Sequence, residues 1–180
     1  MNFTACPIPG AWIVEVDRSA DERGFFARTQ CMEEFAAHGL NGVFRQSSIS
    51  YNHKRGTLRG MHYQASPHAE CKLVRCTAGA IYDVIVDIRP SSATFRHWFG
   101  AELTAGNRRA LYIPEGVAHG FISLGDDTEL LYMISTDYVP DLARGFRWND
   151  AAIDITWPFT PVVISARDAS LPAFAPAATP

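Results

Sequence analysis

Between residues 11 and 136 the chain is a succession of short runs rich in Val, Ile, Tyr and Phe, broken by turn residues at intervals of roughly ten positions. Runs so short and so evenly punctuated read as strands, which makes the fold class all-β, a sandwich or barrel. The candidate strands are 11–16, 24–29, 43–51, 57–64, 72–77, 80–88, 97–103, 110–113, 118–124 and 129–136. One helix is predicted at 31–38, where Met32, Phe35 and Ala36 recur at helical spacing before Gly39. After Pro140 the alternation fades. Trp157, Pro158 and Pro161 point to a segment that wraps over the barrel mouth without adding a regular sheet, and 165–168 can begin a short helix.

A chain of 180 residues fits a single domain spanning 1–180, with its core at about 9–172 and an Ala/Pro-rich tail at 173–180 on the surface or loosely held. The net charge of −3, from 16 basic and 19 acidic residues, offers no electrostatic case for nucleic acid, while leaving room for a local basic pocket. An apolar fraction of 47% is ordinary for a globular protein and gives no membrane span. The four cysteines show no CxxC spacing, and the N-terminus has neither a basic nor an apolar leader pattern. The expectation is a reduced, cytoplasmic protein whose cysteines are small packing residues.

The pleat sorts the polar residues. Period two puts Lys72 with Val74 and Cys76, Tyr132 with Leu130 and Ile134, His119 with Val117 and Phe121, and Asp83 with Ile81, Ile85 and Asp87. A lysine or carboxylate among apolar neighbours is costly unless paired or used. Each has a bland reading too. His62 and His119 can be hydrogen-bonded structural residues, Lys72 can extend its ammonium out of the barrel end, and Tyr132 can tie its hydroxyl to backbone. Convergence of such residues from separate strands would instead assemble a base, a cation and an acid in one barrel, a site for proton transfer. Small β-barrels often bind a metal through a His-x-His pair, but position 64 is Gln. His38, His53 and His97 do not complete a triad with His62 and His119, and His68 reads as a solvated loop residue, so no metal is expected.

Longer motifs then stand out: DERGFF (21–26), RGMHYQ (59–64), CKLVRC (71–76), YDVIVDIRP (82–90), YIPEGVAHGF (112–121), LLYMIS (130–135), WND (148–150) and SARD (165–168). In this order they resemble the dTDP-4-dehydrorhamnose 3,5-epimerase family, over residues 9–172. The resemblance implies a cupin-type jelly roll that acts without a cofactor on a nucleotide-linked 4-keto-6-deoxyhexose in deoxysugar biosynthesis. It implies His62 as the base, oriented by Asp168, with Tyr132 returning a proton to the opposite face and Lys72 stabilising the enolate. It further implies that Arg59 and His119 meet the diphosphate with Tyr138 nearby, and that Arg23 and Phe26 hold the nucleotide across a homodimer with exchanged strands. Gln46 is a further polar candidate. Arg59 and His62 fall on opposite faces under strict alternation, and a bulge at Gly60 would reconcile them.

Four features depart from the family's pattern: Arg28 and Ala143 stand where it tends to carry glutamate, Ser48 where it tends to carry asparagine, and 149–151 lacks the usual proline. The expectation is retained chemistry with altered recognition. The readings left open are a 3,5-epimerase, a single-centre epimerase or ketoisomerase, and a silent jelly-roll module that binds a nucleotide sugar. A metal-dependent cupin oxygenase is opposed by the missing His-x-His pair.

Overall fold

A computed structural model describes residues 1–175. In chain order the elements are β1 (Asn2–Ala5), β2 (Trp12–Glu15), β3 (Ser19–Asp21), β4 (Gly24–Phe26), α1 (Met32–Ala37), β5 (Gln46–Asn52), β6 (Thr57–Gln64), β7 (Lys72–Ala78) and β8 (Ala80–Asp87). They continue with β9 (Trp98–Thr104), β10 (Ala110–Ile113), β11 (Val117–Ser123), β12 (Thr128–Ile134), a 3₁₀ turn at Pro140–Leu142, β13 (Ala143–Gly145), β14 (Val163–Ile164) and α2 (Ala166–Ala169). One sheet runs β1-β2-β10-β7-β12-β5 and the other β13-β6-β11-β8-β9, with β14 alongside β6. Most neighbours within the two large sheets are strands far apart in sequence, giving the jelly-roll barrel the resemblance implied.

Alternation is what builds the interior. Val74, Cys76 and Leu130 from the first sheet meet Ile81, Ile85, Leu103, Val117 and Phe121 from the second, and Tyr132 packs against this cluster. The outer faces are covered as well. Phe35 of α1 is fully buried among Val14, Leu73 and Tyr112 outside the first sheet. Burying a side chain of that size contributes about 1.5–3 kcal/mol, enough to pin a six-residue helix that could not persist alone. Outside the second sheet, Met61, Val84, Val86 and Ala118 are covered by Phe146 and Ile153. Two-sided burial explains why β11, buried at every position, reads as a nearly continuous apolar run.

The segment after Pro140 departs from expectation. It does add to a sheet: Ala143 pairs with Gln64 and Gly145 with His62, while Val163 pairs in parallel with Thr57. β6 would otherwise present an open edge, and these two short strands cover it from either end. Strands of three and two residues are too short to leave a readable period, and the same brevity hid β3; β1, of four residues, was also not predicted. Part of the expected loose tail is anchored, since the Phe174 N–H donates to Asp150 Oδ2 at 2.7 Å and its ring meets Phe146. The remainder of that expected tail, 176–180, lies outside the described residues.

The predicted bulge at Gly60 is present. His62 pairs with His119 and Arg59 with Phe121, so Gly60 and Met61 together face Gly120. Gly60 has φ of 131°, and a Cβ there would stand 2.6 Å from Gly120 Cα, so only glycine fits. The extra residue turns Arg59 and His62 toward the same cavity.

Candidate functional site

The barrel opens into a cavity of about 610 Å³ whose lining includes Gln46, Ser48, Ser50, Arg59, His62, Lys72, His119, Tyr132, Tyr138 and Asp168. Eight of the ten residues the sequence pointed to are therefore brought together. Arg23 and Phe26 are not among the residues lining the cavity. They sit on the β3–β4 hairpin, which pairs only with itself; Arg23 is tied to Asp21, and Phe26 is 79% exposed.

Two walls contribute different chemistry. β6 and β11 of one sheet supply Arg59, His62 and His119, and β7 and β12 of the other supply Lys72 and Tyr132. His62 Nε2 lies 2.8 Å from Asp168 Oδ1. Asp168 comes from α2, where its own N–H donates to Ser165 Oγ at 3.0 Å, and its second oxygen accepts the Gly60 N–H at 3.2 Å. Burial opposes the ionised carboxylate, but the His62 hydrogen bond and charge, the Gly60 N–H and nearby Arg167 outweigh it and hold its pKa below the ordinary value. An ionised Asp168 requires the proton of the imidazole on Nε2, which leaves Nδ1 as the basic nitrogen. The His62 side chain is 37% exposed while that of Asp168 is 6% exposed: the imidazole meets the cavity and its partner is sheltered.

Tyr132 is partly buried and its pKa is pushed well above the ordinary phenol value, by burial first and then by the charge of Asp83; Arg59 and Ser50 pull weakly the other way. A phenol so placed stays protonated through the neutral range and can give a proton. Lys72 Nζ is 2.9 Å from Glu70 Oε1. Arg59 is aimed by hydrogen bonds from Nε to Asn52 Oδ1 (2.9 Å) and from Nη2 to Tyr51 O (3.2 Å), and neither partner cancels its charge. Among the described residues two buried side-chain polar atoms lack a partner, Ser50 Oγ and Asp83 Oδ2.

Gln64, where a metal-binding barrel would carry histidine, is committed to backbone. Its amide nitrogen donates to His68 O (2.6 Å) and Asp137 O (3.1 Å), and its oxygen accepts the Val139 N–H (2.8 Å). Among the described residues no group of three or more His, Cys, Asp or Glu side chains is placed to hold a metal ion.

Sequence reasoning missed Ser50, Glu70, Arg144 and Arg167, all of which line the cavity. Ser50 continues the Gln46–Ser48 face by simple alternation, and Glu70 precedes Lys72 by two positions, so both carried a usable signal. Arg144 and Arg167 belong to the irregular C-terminal segment and carried none. Of the departures from the family pattern, Ser48 and Ala143 line the cavity, whereas Arg28 pairs with Glu34 at 3.1 Å and does not. The 149–151 stretch is structural: Asp150 is buried and also accepts the Ala152 N–H at 2.9 Å.

Residues 5–176 match the family model described as dTDP-4-dehydrorhamnose 3,5-epimerase. The chain is 44% identical over 169 residues to the dTDP-4-dehydrorhamnose 3,5-epimerase of Shigella flexneri, covering 93% of each protein. Its structure resembles that of the Bacillus anthracis dTDP-4-dehydrorhamnose 3,5-epimerase with TDP and PPi bound, at a TM-score of 0.93 and 38% identity over 96% of this chain and 99% of that one. It also resembles a 3'-monoepimerase from Streptomyces bikiniensis in complex with dTDP-quinovose, with a TM-score of 0.86 and 34% identity over 93% and 85% of the two chains.

Proposed function

The chain belongs to the dTDP-4-dehydrorhamnose 3,5-epimerase family, and from this membership and the cavity we propose that it epimerises a nucleotide-linked 4-keto-6-deoxyhexose at C3 and C5. The observation that carries the reading is the His62–Asp168 pair on one wall of a cavity whose other wall holds Lys72 and Tyr132.

His62 Nδ1 takes the proton from a carbon beside the ketone. The electron pair moves onto the carbonyl oxygen, where the Lys72 ammonium stabilises the enolate. Tyr132 delivers a proton to the opposite face of that carbon, and exchange with water restores both side chains. Each centre thus loses one C–H bond and regains one with inverted configuration, and no electrons leave the substrate. Arg59, His119 and Tyr138 receive the diphosphate and its nucleotide, and Gln46 contributes a further polar contact. Arg23 and Phe26 do their part from a second copy. In a homodimer the β3–β4 hairpin, with Phe26 exposed, and the free edge of β5, with Ile49 exposed, offer the surfaces for strand exchange. The whole chain works as one domain. It works in the cytoplasm, a reading supported by four free cysteines. No helix among the described residues is long and apolar enough to cross a membrane.

A single-centre epimerase is the second reading. It is favoured by Ser48 and Ala143 on the cavity wall and by the likeness to a monoepimerase. Proton NMR of dTDP-4-keto-6-deoxyglucose with the protein in deuterated water, followed separately at C3 and C5, decides between them. Loss of both signals is the expected result. Loss of one identifies the single-centre enzyme, and loss of neither removes the reaction.

A further inference from the structure

Four lysine and arginine side chains line the cavity: Arg59, Lys72, Arg144 and Arg167. Among the described residues only Lys72 is paired with a carboxylate, that of Glu70, at 2.9 Å. The pair is sheltered, each side chain being 12% exposed, and Glu70 itself lines the cavity. The mechanism above gives Glu70 nothing to do.

Its backbone is unusually well tied for a loop. Gln64, at the end of β6, holds His68 O at 2.6 Å on one side of it. On the other side Cys71 and Ser135 make a reciprocal pair, the Cys71 N–H donating to Ser135 Oγ at 2.8 Å and the Ser135 N–H to Cys71 O at 3.0 Å. The carboxylate is thus mounted between two fixed points, whereas the ammonium it meets stands at the end of a flexible four-carbon stem. A cation that must meet an oxyanion as it forms is effective in proportion to how well it is placed beforehand.

We propose that Glu70 is the positioning residue for Lys72, its carboxylate holding the ammonium where the enolate oxygen develops. This rests on Lys72 being the enolate's cation. Arg59, Arg144 and Arg167 carry no carboxylate because their task is to receive the diphosphate, whose own charges pair with them on arrival. The sugar ketone is neutral when it binds and cannot do the same for Lys72. A fixed internal counter-ion does so in advance.

The test is the rate of solvent exchange at C3 and C5 with dTDP-4-keto-6-deoxyglucose, measured for wild type, Glu70→Ala and Glu70→Gln, each also on a Lys72→Met background. Glu70→Ala should lower kcat about tenfold with KM changed less than threefold, because placement is lost while ground-state binding is kept. Glu70→Gln, which is isosteric and keeps an acceptor, should recover most of this, remaining about two- to threefold down. On the Lys72→Met background neither change should matter further, since the residue they act through is gone. Wild-type kcat in Glu70→Ala, an effect confined to KM, or an equal loss on the Lys72→Met background would each overturn the assignment. Should Glu70→Ala fail to fold, the loss in Glu70→Gln and its disappearance on the Lys72→Met background decide alone. A wild type that exchanges neither hydrogen takes the reaction and this assignment down together; every other negative result touches Glu70 only.

Discussion

Two histidine–aspartate pairs border the same cavity and differ in construction. His119 and Asp83 come from neighbouring strands of one sheet, in contact at 2.5 Å with side chains 5% and 0% exposed. His62 and Asp168 come from elements 106 residues apart in sequence, a strand and a late helical turn, and here the imidazole is substantially exposed. Asp168 is further satisfied by the Gly60 N–H, whereas the second oxygen of Asp83 has no partner. A buried pair on adjacent strands is suited to holding charge and shape. An exposed imidazole braced from behind by a fully engaged carboxylate is suited to moving a proton. The difference lies in access and satisfaction rather than in residue type.

His62→Ala tests that contrast most severely: it should slow solvent exchange by about 10³-fold while leaving nucleotide binding largely intact. Retained exchange, read by NMR, would remove His62 as the base and collapse the distinction. His119→Ala should act on the fold as well as on nucleotide binding, costing about 3 kcal/mol in urea unfolding because Asp83 is left buried and alone. An equal loss in His62→Ala would show that the two pairs are not different in kind. Asp168→Asn should lower kcat by about 10²-fold, since a neutral amide neither fixes the tautomer nor supports the imidazolium. An unchanged kcat would reduce Asp168 to a bystander.

The smallest effect is in the acid range. Asp168 has a folded pKa below its unfolded one, so its contribution to stability is complete above an ordinary carboxylate value of about 3.9 and is lost as the pH falls through the lower folded value. The gap between the thermal midpoints of wild type and Asp168→Asn should narrow as the pH falls below the ordinary carboxylate value. A gap that stays constant would mean that charge is not what this pair contributes.

Much of the barrel could be read from residues alone because its strands are long enough to alternate. β6 and β10 lie at the predicted positions, and most of the other strands lie within one or two residues of theirs. The inward set of Val74, Cys76, Leu130 and Tyr132 follows from period two. The clash between Arg59 and His62 was visible as a broken alternation, and glycine at position 60 suggested its remedy. What escaped has a physical pattern. β13, β14 and the two arginines beside them lie in a segment shaped by the surface it covers rather than by its own periodicity. Asp168 reached His62 only through a resemblance, because nothing local to SARD announces a partner 106 residues away. Glu70 was legible and overlooked, since an ion pair at i, i+2 on a strand end calls for reading two residues beyond the strand.

The distance in sequence between His62 and Asp168 has a consequence for how the molecule comes into being. The strands that carry Arg59, His62, Lys72, His119 and Tyr132 all precede the 3₁₀ turn at Pro140–Leu142, and the carboxylate that pairs with His62 follows it. During synthesis most of the vessel is therefore made before the carboxylate that braces its imidazole. A chain still on the ribosome, or one trimmed of its final wrap, has the imidazole without its brace.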